Sequence, residues 1–296
     1  MLSKKEKVYI MYMSKILGKF FAKHPELLWN LRSFKHRRHT IDFKNPRDLY
    51  EFIAVSALKN GDNELWIKLA DKYAVRDYIK ETIGEEYLIP LLGKWDSPDE
   101  IDFDALPEKF VLKTNNSSGT NILVTNKKDI DVNSIKQKLS KWLEYPYGAL
   151  TAQPHYTHIK PCIIAEQFMD QGEGFSSLVD YKFYCANGQI GLISVISERK
   201  AGMHLCPAIT FDSDWNRRAD VTRQDMLTDK DFPKPECFDE LKRIVLEYAK
   251  LFDFIRIDFY VINGRPYFGE FTFTPSVVDQ LSPKGMKLMY DLVENK

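Results

Sequence analysis

The chain reads as an α+β protein with a helical N-terminal region, and three observations support that reading. Apolar residues recur at helical spacing through much of the first third. Two Asn-Gly dipeptides, Asn187-Gly188 and Asn263-Gly264, sit between runs of alternating polar and apolar residues, the strongest short-range signal for a β-hairpin. An amphipathic helix, Pro235 to Phe252, leads straight into the second hairpin with Phe238, Leu241, Ile244, Val245, Tyr248 and Leu251 on one face.

Composition sets the bounds. The 296 residues are 44% hydrophobic and 28% charged, enough for a sizeable core and one or two domains. Net charge is zero but unevenly placed: residues 1–38 hold ten Lys/Arg against Glu6 and Glu26. Such a leader can touch anionic lipid or an anionic polymer; the plainer reading is a solvated helix face. No nucleic-acid partner is expected. Cys162, Cys185, Cys206 and Cys237 are widely spaced with no CxxC pair, which favours buried thiols in a reducing compartment over disulfides or zinc. No apolar run reaches membrane-spanning length and no signal-peptide core opens the chain. The expected location is the cytoplasm, with peripheral membrane contact through the basic leader as an open option.

In chain order, residues 4–39 read as helix, interrupted at His24-Pro25; Val8, Tyr12, Ile16 and Phe20 recur on one side. Asn45-Pro46 predicts the start of a second helix, with Asn as cap and Pro in the first turn. Helical spacing then runs through 62–83, and Tyr87 to Leu92 reads as a short strand. The N-terminal region is expected to span 1–105, followed by units at 106–168 and 169–296. Phe110 to Lys113 is a predicted strand ending in a lysine, and Asn115 to Thr120 is a small-residue loop before a returning strand. Small residues let backbone N–H groups close around phosphate oxygens, with the lysine as point charge. The loop is no Walker A motif, since the GK[ST] ending is missing, and an ordinary hairpin would look the same. A helix is predicted at 131–143, a buried strand at Cys162 to Met169, and strands at Asp180 to Ala186 and Gln189 to Ile196. Lys182 lies mid-strand, where an edge or solvated face is the simple explanation.

The densest chemistry is FIRIDFYVINGRPYFGEFTFTP, Phe254 to Pro275. Ile255, Ile257, Phe259 and Val261 alternate with Arg256, Asp258 and Tyr260; in the second strand Tyr267, Phe271 and Phe273 are expected to oppose Glu270 and Thr272. A two-residue turn would set Ile257 against Glu270. One extra residue, in a three-residue loop or a glycine bulge at the turn, instead pairs Asp258 with Glu270. Opposed carboxylates repel, so either a divalent cation compensates them or they are solvated beside Arg256.

The order of these pieces resembles the ATP-grasp superfamily, and more closely its teichuronopeptide-biosynthesis (TupA-like) branch. The matching segments are DKYAVRDYI, EEYLIPLLG, EIDFDALPEKFVLK, IIAEQFM, DYKFYCANG and the carboxylate hairpin. The resemblance implies two α+β subdomains holding ATP between them. It implies Lys113 on ATP phosphate, Ser117, Ser118, Gly119 and Thr120 over the phosphates, and Glu166, Gln167 and Phe168 as an adenine hinge. It further implies Lys182 as a second nucleotide lysine, Asp258 and Glu270 on Mg²⁺ with Thr272 where many relatives carry asparagine, and Arg256, Arg199 and Lys182 offsetting charge in catalysis. The implied reaction is ATP-dependent carboxylate–amine ligation through an acylphosphate, joining an amino-acid donor to a sugar-acid acceptor of a cell-surface polysaccharide. Glycosyl transfer is the alternative, with Asp212-Ser213-Asp214 as a DxD-like run, and a non-catalytic nucleotide-binding module is another. His204 is expected as a surface histidine.

Overall fold

A computed structural model describes residues 4–172, 174–198, 205–275 and 280–295. The chain divides into two units: 1–44, 54–78 and 89–168 form the first, and 45–53, 79–88 and 169–296 the second.

In the first unit, the leader folds as α1 (Lys4–Lys23) and α2 (Pro25–Arg37), broken at His24-Pro25 as the sequence predicts. The next helix, α3 (Leu49–Lys59), contributes to both units. It begins at Leu49 and not at the predicted Asn45-Pro46, because Asp48 caps it: its carboxylate accepts the Glu51 N–H at 3.1 Å. The helix expected through 62–83 is two, α4 (Glu64–Ala70) in the first unit and α5 (Val75–Thr82), which like α3 contributes to both. Asp71 causes the break, its Oδ1 accepting the N–H groups of Tyr73 and Ala74 at 2.8 and 3.2 Å, a local bond that competes with helix continuation.

Strands β1 (Leu91–Trp95), β2 (Phe110–Thr114), β3 (Asn121–Val124) and β4 (Ile163–Gln167) form an antiparallel sheet in the order β1-β4-β2-β3. The strand predicted at Tyr87 to Leu92 starts later, at Leu91: Glu85–Tyr87 forms a 3-10 turn, and Pro90, which has no N–H for a ladder, directly precedes the strand. Between β3 and β4 come α6 (Val132–Glu144), capped by Asp131, and the short α7 (Tyr147–Leu150). Alternate residues Phe110, Leu112, Ile163 and Ala165 enter a core with Phe103, Val124, Ile135 and Leu139. The intervening residues Val111, Lys113, Ile164 and Glu166 therefore share the other face.

The second unit holds β5 (Asp180–Ala186), β6 (Gln189–Ile196), β7 (Ala208–Phe211), β8 (Phe254–Ile262) and β9 (Arg265–Thr272), in the order β7-β6-β5-β8-β9. The first hairpin has the predicted bounds. Helix α8 (Phe238–Ala249) packs on one face, with Tyr248 edge-on to Phe271 at 5.0 Å, and α9 (Pro283–Glu294) lies against β5 and β6.

The second hairpin pairs Asp258 with Glu270 as predicted, but the extra residue is not in the turn. Asn263 (φ 52°) and Gly264 (φ 74°) make a two-residue connection with Ile262 opposite Arg265, as left-handed dihedrals at both positions require. The register shifts between Asp258 and Phe259, leaving Gly269 as the bulge. A Cβ on Gly269 would come within 2.9 Å of the Asp258 carbonyl oxygen, so the close approach demands glycine. The bulge also corrects the predicted faces. Phe268, not Tyr267, joins Phe271 on the apolar side (rings 4.8 Å apart), and Tyr267, opposite Tyr260, falls on the Glu270 side.

Candidate active site

In the first unit, register places Lys113 diagonal to Glu166 on the non-core face of adjacent strands. Lys113 Nζ donates to Glu166 Oε2 at 2.5 Å, and Arg76 Nη1 donates to Glu166 Oε1 at 3.1 Å. Arg76 also donates to the Ile89 carbonyl at 2.8 Å. Glu166 is thus a buried carboxylate between two cations, and the triad carries a net positive charge. Of the other residues read as an adenine hinge, Gln167 gives its backbone N–H to the Pro90 carbonyl at 2.9 Å, and the Phe168 ring lies beneath Lys109 Nζ at 5.8 Å.

The small-residue loop is internally stitched. Hydroxyls of Thr114, Ser117 and Thr120 form a triangle with edges of 3.0, 2.7 and 2.7 Å. Ser117 is buried, whereas Ser118 and Gly119 are the exposed tip. Gly119 has φ 74° and a Cβ there would meet nothing, so its requirement is conformational and not spatial. The break between α4 and α5 braces this loop. Asp71 Oδ1 accepts the Asn115 side-chain amide at 2.9 Å, Lys72 N–H donates to the Asn115 carbonyl at 3.2 Å, and Lys72 Nζ donates to the Ser117 carbonyl at 2.5 Å. Burial pushes the Asp71 carboxyl above its ordinary range, opposed by donors from Tyr73, Asn115 and Ala74. None of Asp71, Lys72 or Arg76 is singled out by the sequence reading, although all three lie in the DKYAVRDYI segment.

In the second unit, a polar row crosses all five strands: Thr210, Ser194, Lys182, Asp258 and Glu270 are consecutive cross-strand partners. Lys182 is neither on an edge nor solvated. It is 3% exposed on the central strand, ion-paired with Asp258 and 3.6 Å from Asp180. Arg256 forks onto Asp258 (Nε to Oδ1 2.7 Å, Nη2 to Oδ2 2.8 Å) and reaches Glu270 Oε1 at 2.8 Å. Thr272 accepts from Arg256 at 3.1 Å and donates to Glu270 at 3.0 Å, so its hydroxyl orients that carboxylate. Ser194 and Thr210, absent from the sequence reading, continue the row through a 3.1 Å hydroxyl pair. Arg199 and His204 lie outside the described residues.

The carboxylate pair suits a hard cation in its chemistry. Asp258, Glu270 and Thr272 offer only oxygen, and Mg²⁺ is commonly held by one or two carboxylates plus substrate phosphates. Among the described residues no three His, Cys, Asp or Glu side chains converge. Two carboxylates and a hydroxyl are an oxygen-only donor set of the kind that fits a metal which also takes phosphate oxygens. Arg256 and Lys182 neutralise the same carboxylates in the structure, so a bound metal would compete with Arg256 for them.

Other candidate chemistry recedes. Asp212 accepts the N–H groups of Asp214 and Asn216 at 3.0 and 2.9 Å and the Asn216 amide at 3.0 Å, and Asp214 pairs with Lys242 at 3.0 Å. The DxD-like run is thus a stapled turn. All four cysteines are buried and free, and burial pushes the Cys162 thiol up to about 12, far from a nucleophilic thiolate.

Two α+β units, one with a strand-end lysine beside a small-residue loop and the other with a cation–carboxylate row, are the parts of an ATP-grasp fold. The TupA-like ATP-grasp family model matches residues 51–290, and the chain belongs to that family. None of the curated proteins matches it. Similar solved structures include a D-alanine–D-alanine ligase from Bacillus anthracis, at 15% identity over 77% of this chain and 66% of that one with a TM-score of 0.47. Another is the ATP-grasp ligase PsnB complexed with its minimal precursor, at 10% identity over 82% and 67% with a TM-score of 0.46. A third is the macrocyclase MdnC from Microcystis aeruginosa bound with precursor peptide MdnA, at 14% identity over 79% and 64% with a TM-score of 0.38. The chain spans just under two thirds of the length of the first of these.

Proposed function

We propose that the protein is an ATP-dependent carboxylate–amine ligase that joins an amino acid or short peptide to a uronic acid of a cell-surface polysaccharide or its precursor. The observation that carries this reading is the Lys182–Asp258–Glu270 row with Arg256 forked across it, in a chain of the ATP-grasp family. A ligase of this kind activates a carboxylate by phosphoryl transfer and needs no protein nucleophile; positioning and charge stabilisation do the work. Lys113, held by Glu166, and the exposed Ser118-Gly119 tip are assigned to nucleotide phosphates. Asp258 and Glu270 would hold Mg²⁺, which when bound neutralises phosphate charge. Arg256, released from the carboxylates, would then meet negative charge developing in the reaction. The teichuronopeptide link of the branch supports the uronic-acid assignment, and the use of ATP fits a cytoplasmic site of action.

The test is ADP release with Mg-ATP, pairing free and nucleotide-linked uronic acids with a panel of amino acids. ADP should form only with a carboxylate–amine pair, and Glu270→Gln should lower the rate by about a hundredfold or more. ATP binding without ADP release from any pair, together with turnover of a sugar nucleotide alone, would replace the ligase with a transferase.

A further inference from the structure

Helices α1 and α2 expose the residues an amphipathic helix normally buries. In α1, Gly18 is on the covered side: a Cβ there would lie 2.6 Å from Pro146 Cγ. Lys15 is tied to Glu144 at 2.6 Å near the same side. At about 100° per residue, Tyr12, Ile16 and Phe20 fall on the side away from Gly18. In α2 the covered side carries Trp29 and Ser33, and Arg32 anchors the helix by donating to the Thr151 and Leu150 carbonyls at 2.6 and 3.1 Å. Leu27, Leu31 and Phe34 lie opposite. These six large apolar side chains are between 41% and 61% exposed. Scattered exposed apolar residues are ordinary, but here each helix presents an ordered stripe with a three-to-four-residue spacing.

The surrounding charge identifies what such a face fits. Exposed Lys19, Lys23 and Lys35 lie on the same two helices, exposed Arg38 caps the second, and residues 1–38 carry ten basic side chains against two acidic ones. A second copy would bring like charge against like charge. A soluble polyanion would satisfy the lysines and leave the apolar stripes in water. An anionic lipid surface meets both, because apolar side chains enter the headgroup boundary while Lys and Arg stems reach up to the phosphates. No helix among the described residues is long and apolar enough to cross a membrane, so the contact is one of lying on the surface. We propose that the α1–α2 face docks this protein onto membranes containing anionic phospholipid.

The experiment is flotation of the full chain with phosphatidylcholine vesicles, with and without phosphatidylglycerol, at low and high salt. Binding is expected only to the anionic vesicles and should weaken as salt rises. Ile16→Asp combined with Phe20→Asp should abolish it, and Lys19→Gln or Lys23→Gln should each weaken it about fivefold. All four positions are exposed and distant in sequence from the nucleotide-site residues, so the variants should keep the parent's ATP affinity and unfolding midpoint. Equal binding to neutral vesicles, or full binding by the Asp double variant, would overturn the proposal. So would concentration-dependent self-association in the absence of lipid that the same Asp variant abolishes, since a second copy would then be the occupant.

Discussion

Glu166 shows how one buried carboxylate can set the properties of a site. Each of its oxygens is taken by a different cation, Lys113 and Arg76, from segments far apart in sequence. A charge-assisted bond of this kind is worth about 1.5–3 kcal/mol, and under the proposed function the positive excess of the triad would draw phosphate towards Lys113. Arg76→Ala removes that excess and frees the carboxylate to rotate. ATP affinity is expected to fall about tenfold or more, read by isothermal titration with Mg-ATP. Arg76→Lys keeps the charge while weakening the bond to Ile89, and should recover most of the loss. Equal affinity for parent and Arg76→Ala would remove Arg76 from any part in nucleotide binding.

Strand register, more than any single side chain, builds the second constellation. The Thr210–Ser194–Lys182–Asp258–Glu270 row exists because four consecutive strand pairings bring polar residues into line. The Gly269 bulge is what keeps Glu270 in that line. Gly269→Val would press a branched side chain against the Asp258 carbonyl, at a cost of about 1–3 kcal/mol, or push the register by one residue. The expected outcome is a lower urea midpoint together with loss of Mg²⁺-dependent nucleotide binding. A variant with parental Mg²⁺ dependence would show that the bulge does not set the carboxylates. The Asp258–Glu270 pairing is legible in the sequence because only that register hides the oil and aligns the charges. The bulge position is not, since Gly264 and Gly269 are equally able to absorb an extra residue and only the backbone contact with Asp258 separates them. The α4–α5 break is hidden for a similar reason: Leu65, Leu69 and Tyr73 keep a four-residue spacing across it, and the competing bonds come from the Asp71 side chain. Ser194 and Thr210 leave no local trace, and Arg76 is marked only by its place in the DKYAVRDYI segment, because their roles depend on partners brought in by long-range pairing.

The division of the chain is not a division of the sequence. The second unit takes in 45–53 and 79–88 as well as everything after Phe168. Those two segments are tied into it by side chains: Thr82 shares a 2.6 Å hydroxyl bond with Tyr248, Tyr87 donates to Glu240, and Tyr290 donates to the Pro46 carbonyl. Burial beside Glu240 pushes the Tyr87 hydroxyl up to about 12, so this donor keeps its proton across the usable pH range. Ile79 is fully buried and Leu88 nearly so. Each buried aliphatic side chain contributes roughly 1.5–3 kcal/mol, and a domain's whole stability is only about 5–15 kcal/mol. Removing both segments therefore takes away a large share of what holds the second unit. A fragment of residues 169–296 retains every strand of its sheet, β5 to β9, yet it is expected to unfold without a sharp transition in urea and to bind a hydrophobic dye in buffer. A fragment that unfolds cooperatively at the full chain's midpoint would mean that the sheet with α8 and α9 is self-sufficient and that the two early segments only decorate it.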